Sequence, residues 1–210
     1  MKIILVCQAE ADTRPGTRCD SAGFARACEE EAAHGIAPVS VKKSDARRYR
    51  IHTGTGRAAQ ETAALLFDFT EAPERTPLLD EVALRPFRDT DAAYPLRLWE
   101  AVGTAQWALG SGRQAESRRE TLERVGRFVD TLEEEDRDCI VVCRGRTLAA
   151  LKTVLRRRGW CIEGGELRPK PLDRIRATKR TLHCGGCHHN CLLTEPKCQI
   201  GRAKAQDRGI

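Results

Sequence analysis

Cys139-Ile140-Val141-Val142-Cys143, followed at once by Arg144-Gly145, is the stretch on which the fold turns. Its run of apolar residues is unbroken and β-branched at its centre, which is what a strand covered on both faces requires, and such strands belong to mainly parallel sheets flanked by helices. On its N-terminal side, Glu116 to Glu134 places Leu122, Val125, Phe128, Val129 and Leu132 at helical spacing. On its C-terminal side, Leu148 to Arg157 reads as a short helix stopped by Gly159. Further out, Lys2 to Val6 is a second continuous strand and Tyr49-Arg50-Ile51-His52 a third. Asp20 or Ser21 caps a helix running to about His34, with Gly35 in the place of a left-handed stop. Arg57 to about Phe69 and Ala92 to Leu109, the latter holding Trp99 and Trp107, supply two more helices. This alternation predicts a three-layer α/β/α sandwich with a mainly parallel sheet over residues 1–165, followed by a small cysteine-rich, metal-binding C-terminal segment over 166–210. In such sheets the chemistry gathers past the carboxyl ends of the strands, here Cys7-Gln8-Ala9-Glu10, His52-Thr53-Gly54 and Cys143-Arg144-Gly145.

The chain has 210 residues, 40% hydrophobic and 31% charged, and carries a formal net charge of +6. That apolar content excludes a disordered chain, and no run approaches the ~18 to 20 apolar residues of a bilayer crossing. The N-terminal apolar run, Ile3 to Val6, is too short for a secretory signal, so a cytoplasmic protein with no membrane partner is expected. Residues 166–210 hold 10 Lys and Arg against 4 Asp and Glu, so the whole excess charge belongs to the tail.

Six segments resemble, in order and spacing, the motifs of the histidine phosphatases, the phosphoglycerate-mutase-like superfamily. Ile4-Leu5-Val6-Cys7-Gln8-Ala9-Glu10 is similar to the first strand and its Arg-His-Gly-Glu motif, and Asp20 to Ala27 to the stretch that follows it. Thr53-Gly54 through Thr62-Ala63 resembles the second loop and its helix, and Leu79-Asp80-Glu81 the Leu-x-Glu motif. Ala115-Glu116-Ser117 with Arg124 resembles the Gly-Glu-Ser helix, and Val141 to Gly145 the late strand ending Val-Ser-His-Gly. The resemblance implies a pocket in which one histidine attacks phosphorus while two arginines and a second histidine hold the phosphoryl oxygens.

Carried over position by position, the resemblance puts the nucleophile on Gln8, its flanking arginine on Cys7, the second-loop arginine on Ala58 and the second histidine on Arg144. All four are replaced, while Glu81, on the proton-donor motif, is kept. A glutamine amide is not a phosphoryl acceptor, so the body reads as a pseudoenzyme with a binding or regulatory role. The alternative is a phosphatase or phosphotransfer enzyme rebuilt around Cys7 or His52. Arg57 and Arg144, at helix starts, are candidate ligands for a phosphorylated or otherwise anionic small molecule.

In the tail, Cys184, Cys187, Cys191 and Cys198 form a C-x2-C-x3-C-x6-C pattern with His183, His188 and His189 among them. Four thiolates satisfy a structural, tetrahedral Zn2+, and an iron–sulfur cluster is the alternative cofactor. His188 or His189 can substitute for one thiolate as ligand. The basic surroundings suit a protein partner better than nucleic acid, because residues 161–210 contain no Phe, Tyr or Trp on which bases could stack.

Overall fold

The computed structural model describes residues 1–13, 16–164 and 169–179. Six strands form one sheet: β1 Lys2–Cys7, β2 Arg50–Thr53, β3 Glu74–Arg75, β4 Cys139–Cys143, β5 Trp160–Glu163 and β6 Arg174–Lys179. Their spatial order is β3-β2-β4-β1-β6-β5. β3, β2, β4 and β1 run parallel to one another, whereas β6 lies antiparallel to both β1 and β5. The fold is therefore α/β with a mostly parallel central sheet.

Five helices are described: α1 Ser21–Ala33, α2 Arg57–Leu66, α3 Leu96–Leu109, α4 Arg118–Glu135 and α5 Gly145–Arg157. The twofold alternation of a strand decides which helix each side chain meets. Ile3, Leu5, Val141, Ile175 and Ala177 join Val125, Phe128, Val129, Leu132, Leu148, Leu151 and Leu155 in one core, under α4 and α5. Val6, Ile51, Ile140 and Val142 turn the other way and meet Ala63 and Leu66 of α2. Burying each such aliphatic side chain contributes roughly 1.5 to 3 kcal/mol, which is what fixes the three layers. A third core, Phe24, Val82, Leu84, Trp99 and Trp107, joins α1, α3 and the segment between them beside the sheet. There Trp99 stacks on Phe24 with ring centroids 5.4 Å apart, and its indole N–H donates to the Cys19 carbonyl at 2.9 Å.

Helix ends follow local chemistry. Asp20 caps α1, its carboxylate accepting from Gly23 N at 2.7 Å. The expected left-handed stop at Gly35 is absent: α1 ends at Ala33, and His34 leaves it in extended backbone whose N–H still donates to the Glu30 carbonyl. Ser117 and Glu120 form a reciprocal capping box at the start of α4, and Asp136 closes that helix in left-handed conformation at φ 44°.

The sheet holds two strands beyond the expected ones. β5 and β6 are strands that the sequence reading did not include, and β6 lies inside the sheet beside β1. β6 carries the described part of the sheet to Lys179. The four cysteines Cys184, Cys187, Cys191 and Cys198, and the three tail histidines, lie outside the described residues. Among the described residues no helix is long and apolar enough to cross a membrane.

Candidate functional site

β1, β2 and β4 end side by side, and their following loops open into a cleft of about 580 Å³. Gln8 follows β1, Gly54 and Thr55 follow β2, and Arg144 follows β4, with Cys143 at the strand's last position; all five line the cleft. Ala58 and Ala59 of α2, Phe24 and Cys28 of α1, and Leu79 to Pro86 complete its walls. The backbone holds these loops in register, because Gln8 N donates to the Cys143 carbonyl at 3.0 Å.

Asp80 is the knot between the loops. Its carboxylate accepts from Thr55 N at 2.6 Å and from the Thr55 hydroxyl at 2.8 Å, while its carbonyl accepts from the Thr147 hydroxyl of α5 at 2.7 Å. Only a glycine lets this segment approach so closely: a Cβ on Gly54 would stand 2.9 Å from the Asp80 Oδ1 and 3.2 Å from the Leu79 carbonyl oxygen.

The charged side chains neutralise one another. Arg144 is in an ion pair with Glu31 of α1. Burial works against the Arg144 charge, yet the Glu31 hydrogen bond and the charges of Glu31, Glu81 and Glu100 prevail and hold it above its ordinary pKa. Glu81 sits at the start of α5, where its Oε2 accepts from Arg146 N at 3.2 Å and its Oε1 from Val82 N at 3.0 Å. The Arg146 guanidinium pairs with the same carboxylate at 3.1 Å. The Arg144 and Arg146 guanidiniums and the positive end of α5 are therefore occupied by the protein's own carboxylates.

Of the sequence-predicted residues, Gln8, Ala58, Glu81 and Arg144 come together in the cleft, and Arg57 does not. The Arg57 side chain is 69% exposed and pairs with Glu61 one turn on, at 2.6 Å. Each of the two candidate anion ligands has a carboxylate partner, Arg57 in Glu61 and Arg144 in Glu31. Cys7 is buried in the α4/α5 core and not in the cleft lining, and its thiol lies 3.9 Å from the Pro169 carbonyl. Burial, then the charges of Asp173 and Glu81, push its pKa up to about 11 against the opposing pull of Arg144. On the order of one molecule in ten thousand would carry the thiolate at pH 7, the opposite of what an attacking cysteine needs.

His52 is also displaced from the chemistry. It is buried under α4, its ring edge-on to Phe128 with centroids 5.4 Å apart, and its Nδ1 lies 3.5 Å from a Glu74 carboxylate oxygen. Burial lowers its pKa, and Glu74 and Glu135 only partly oppose this. Cys28 and Cys143, which do line the cleft, are no better nucleophiles: burial raises the first to about 11 and the second well above its ordinary value. Among the described lining residues there is no histidine.

Glu31, Asp80 and Arg146 are the site residues that sequence reading missed. For Glu31 a signal existed, since Phe24, Cys28 and Glu31 recur on one face of α1 at helical spacing and all three line the cleft. Glu116 and Arg124, by contrast, act structurally: their ion pair of 2.7 Å aims Arg124 Nη1 at the Leu78 carbonyl, 2.8 Å away, and fixes the turn before Asp80. Among the described residues no group of three or more His, Cys, Asp or Glu is placed to hold a metal ion.

No family model matches this chain, and no curated protein does. Several solved structures are similar to it. A protein described as an alpha-ribazole-5'-P phosphatase from Escherichia coli is 18% identical with a TM-score of 0.48, over 74% of this chain and 79% of its own. TTHB049 from Thermus thermophilus is 19% identical with a TM-score of 0.47, over 84% and 92% respectively. A phosphoserine phosphatase from Entamoeba histolytica is 11% identical with a TM-score of 0.46, over 74% and 80%.

Proposed function

We propose that this chain is a degenerate member of the histidine phosphatase superfamily that binds a ligand in its strand-end cleft without phosphoryl transfer, and that its tail is folded around a structural zinc. One observation carries the first part. At the head of β1 the cleft presents the Gln8 amide, and at the head of β4 it presents an arginine already paired with Glu31. Neither group can take up a phosphoryl group, and the pairing leaves little positive charge for the oxygens of a phosphorane-like transition state. The six motif-like segments in family order support the frame, and the substitutions within them support the loss of chemistry.

The test is turnover of p-nitrophenyl phosphate and a panel of phosphate esters by the full chain. The expected result is no hydrolysis above a heat-killed control, and Gln8→His alone should restore none, because Cys7, Ala58 and Arg144 still leave the phosphoryl group unclamped. Robust hydrolysis abolished by Cys7→Ser would replace this reading with thiol catalysis. For the tail, Cys184, Cys187, Cys191 and Cys198 offer four thiolates to a tetrahedral ion and leave no open position for substrate. Elemental analysis should find about one zinc per chain in a colourless solution. A brown solution absorbing near 400 nm would assign an iron–sulfur cluster instead. Serine in place of any of the four cysteines should weaken metal retention, and full retention by all four variants would dismiss the ligand set.

A further inference from the structure

On the α2 side of the sheet, residues 41–49 and β6 together build a basic surface separate from the cleft. Val41 and Tyr49 pack with Ile4 of β1 and with Leu172 against the α2-side core. Two contacts tie this segment to the sheet: Lys2 Nζ donates to the Tyr49 hydroxyl at 3.2 Å, and Arg174 Nη1 donates to the Ser44 hydroxyl at 2.9 Å. Arg174 and Arg176 face the same way, since they stand opposite Val6 and Ile4 in the register of β6 against β1. Lys42, Lys43, Arg47, Arg48, Arg174 and Arg176 are all exposed.

Three carboxylates share this surface. Asp45 lies 3.9 Å from Arg47, Asp68 3.9 Å from Lys43 and Glu163 3.9 Å from Arg176, and all three pairs are open to solvent. Exposed pairs of this kind contribute about 0 to 1 kcal/mol and yield readily to another anion. Among the described residues, Lys42, Arg48 and Arg174 have no carboxylate within ion-pair distance. Arg174 is oriented by the Ser44 hydroxyl and lies 5.0 Å over the Phe67 ring, contacts that leave its charge uncancelled. At the border Lys2 stands beside Asp138 and Lys170 beside Asp173, and these cancel. Six cations against three carboxylates therefore leave an excess of three. Residues 14, 15, 165–168 and 180–210, outside the described ones, hold seven Lys and Arg against three Asp and Glu, so on balance they do not supply the missing anions.

The neighbouring side chains narrow the partner. Cations on a strand and on the loop beside it, with the hydroxyls of Ser44 and Thr178 among them, suit a repeating line of phosphates. An acidic peptide would need apolar pockets for its anchoring side chains, whereas Ile4, Val41 and Tyr49 are packed against the core. A single strand would need open aromatic faces on which bases stack, whereas Tyr49 is half-buried with Lys2 Nζ 5.6 Å over its ring. A duplex needs neither, because it covers its own bases and presents phosphate outward. We propose that the surface formed by residues 42–48 and β6 binds the phosphate backbone of a nucleic-acid duplex without reading its sequence.

The experiment is fluorescence anisotropy of the full chain with labelled DNA and RNA duplexes of about 20 base pairs, each in two unrelated sequences, at about 50 to 200 mM NaCl. At least one type of duplex should bind, equally well in both sequences. Its log affinity should fall linearly with log salt by about 0.9 per phosphate contact, to a slope no steeper than about −5 if all six cations engage. The double variants Lys42→Gln/Lys43→Gln and Arg47→Gln/Arg48→Gln, at exposed positions, should each weaken binding ~10-fold and make the slope shallower by nearly 2, with an unchanged melting temperature. A tail variant, Arg202→Gln/Lys204→Gln/Arg208→Gln, should lose less than either. A tail variant that loses as much as the loop variants or more overturns the inference, as does affinity that the loop variants leave untouched. So does a preference between the two sequences, or the absence of binding at the lowest salt. Tighter binding of phosphatidylserine vesicles or polyglutamate than of either duplex would overturn it in favour of a membrane or an acidic protein.

Discussion

At the scale of single residues, the cleft is defined by what fits against Asp80. Adding a methyl in Gly54→Ala would force the Leu79–Asp80 backbone away from the second loop, since two oxygens lie within 3.2 Å of the new carbon. Overpacking of this kind costs about 1 to 3 kcal/mol, so the urea midpoint should fall, and ligand binding in the cleft should weaken with it. Cys7, Cys139 and Cys143 are buried, with pKa values raised first by that burial. At pH 7 they should resist iodoacetamide in the native protein and react only when it is unfolded, as read by peptide mass spectrometry; rapid native labelling of Cys7 would revive a thiol mechanism. His52 sets a pH dependence. Its folded pKa is lowered, so the unfolded chain binds the proton more readily, and stability present at neutral pH is lost as pH falls below the ordinary value near 6.5. The groups facing it are Glu74, Glu135 and Arg50. Denaturation between pH 7 and 5 should show a smaller loss of stability in His52→Gln than in the parent, and identical slopes would refute the assignment.

At the scale of elements, legibility depended on whether one physical signal dominated a segment. β1 and β4 were plain because both faces are covered and their runs are uninterrupted, and α4 because its apolar positions repeat through about three turns, from Leu122 to Leu132. Its capping box is equally local, and Ser117→Ala should lower stability by about 1 kcal/mol, measured as a shift in urea midpoint at constant slope. The placement of the cleft at the strand ends followed from the strands themselves. β6 was obscured although Arg174-Ile175-Arg176-Ala177-Thr178-Lys179 alternates as a strand should, with Ile175 and Ala177 turned inward. Its basic outward residues read as part of a charged tail, whereas they are engaged locally: Arg174 lies 5.0 Å over the Phe67 ring and Lys179 pairs with Glu133 at 3.2 Å. Arg144 was legible as a residue of the cleft, but its neutralisation was not, because Glu31 lies 113 positions away in sequence.

At the scale of the molecule, β6 ends and the cleft opens at opposite ends of the sheet. β6 runs against β1, pairing Arg174 with Val6 near the cleft and Thr178 with Lys2 at the far end, so Lys179 stands at the end of the sheet away from the site. Removing metal should therefore leave the main melting transition and cleft binding in place, and a shared loss of both would contradict this separation. The position of β6 bears also on how the protein is made. β1 has as a neighbour β6, 167 residues later in the chain if counted from Cys7 to Arg174. At ~5 to 20 residues per second, β1 waits roughly 8 to 33 s for β6, with both edges open until β4 is made and one edge open after that. Nascent chains stalled before residue 174 should accordingly bind chaperones and resist compaction, whereas chains long enough to expose Lys179 beyond the exit tunnel close the sheet and release them.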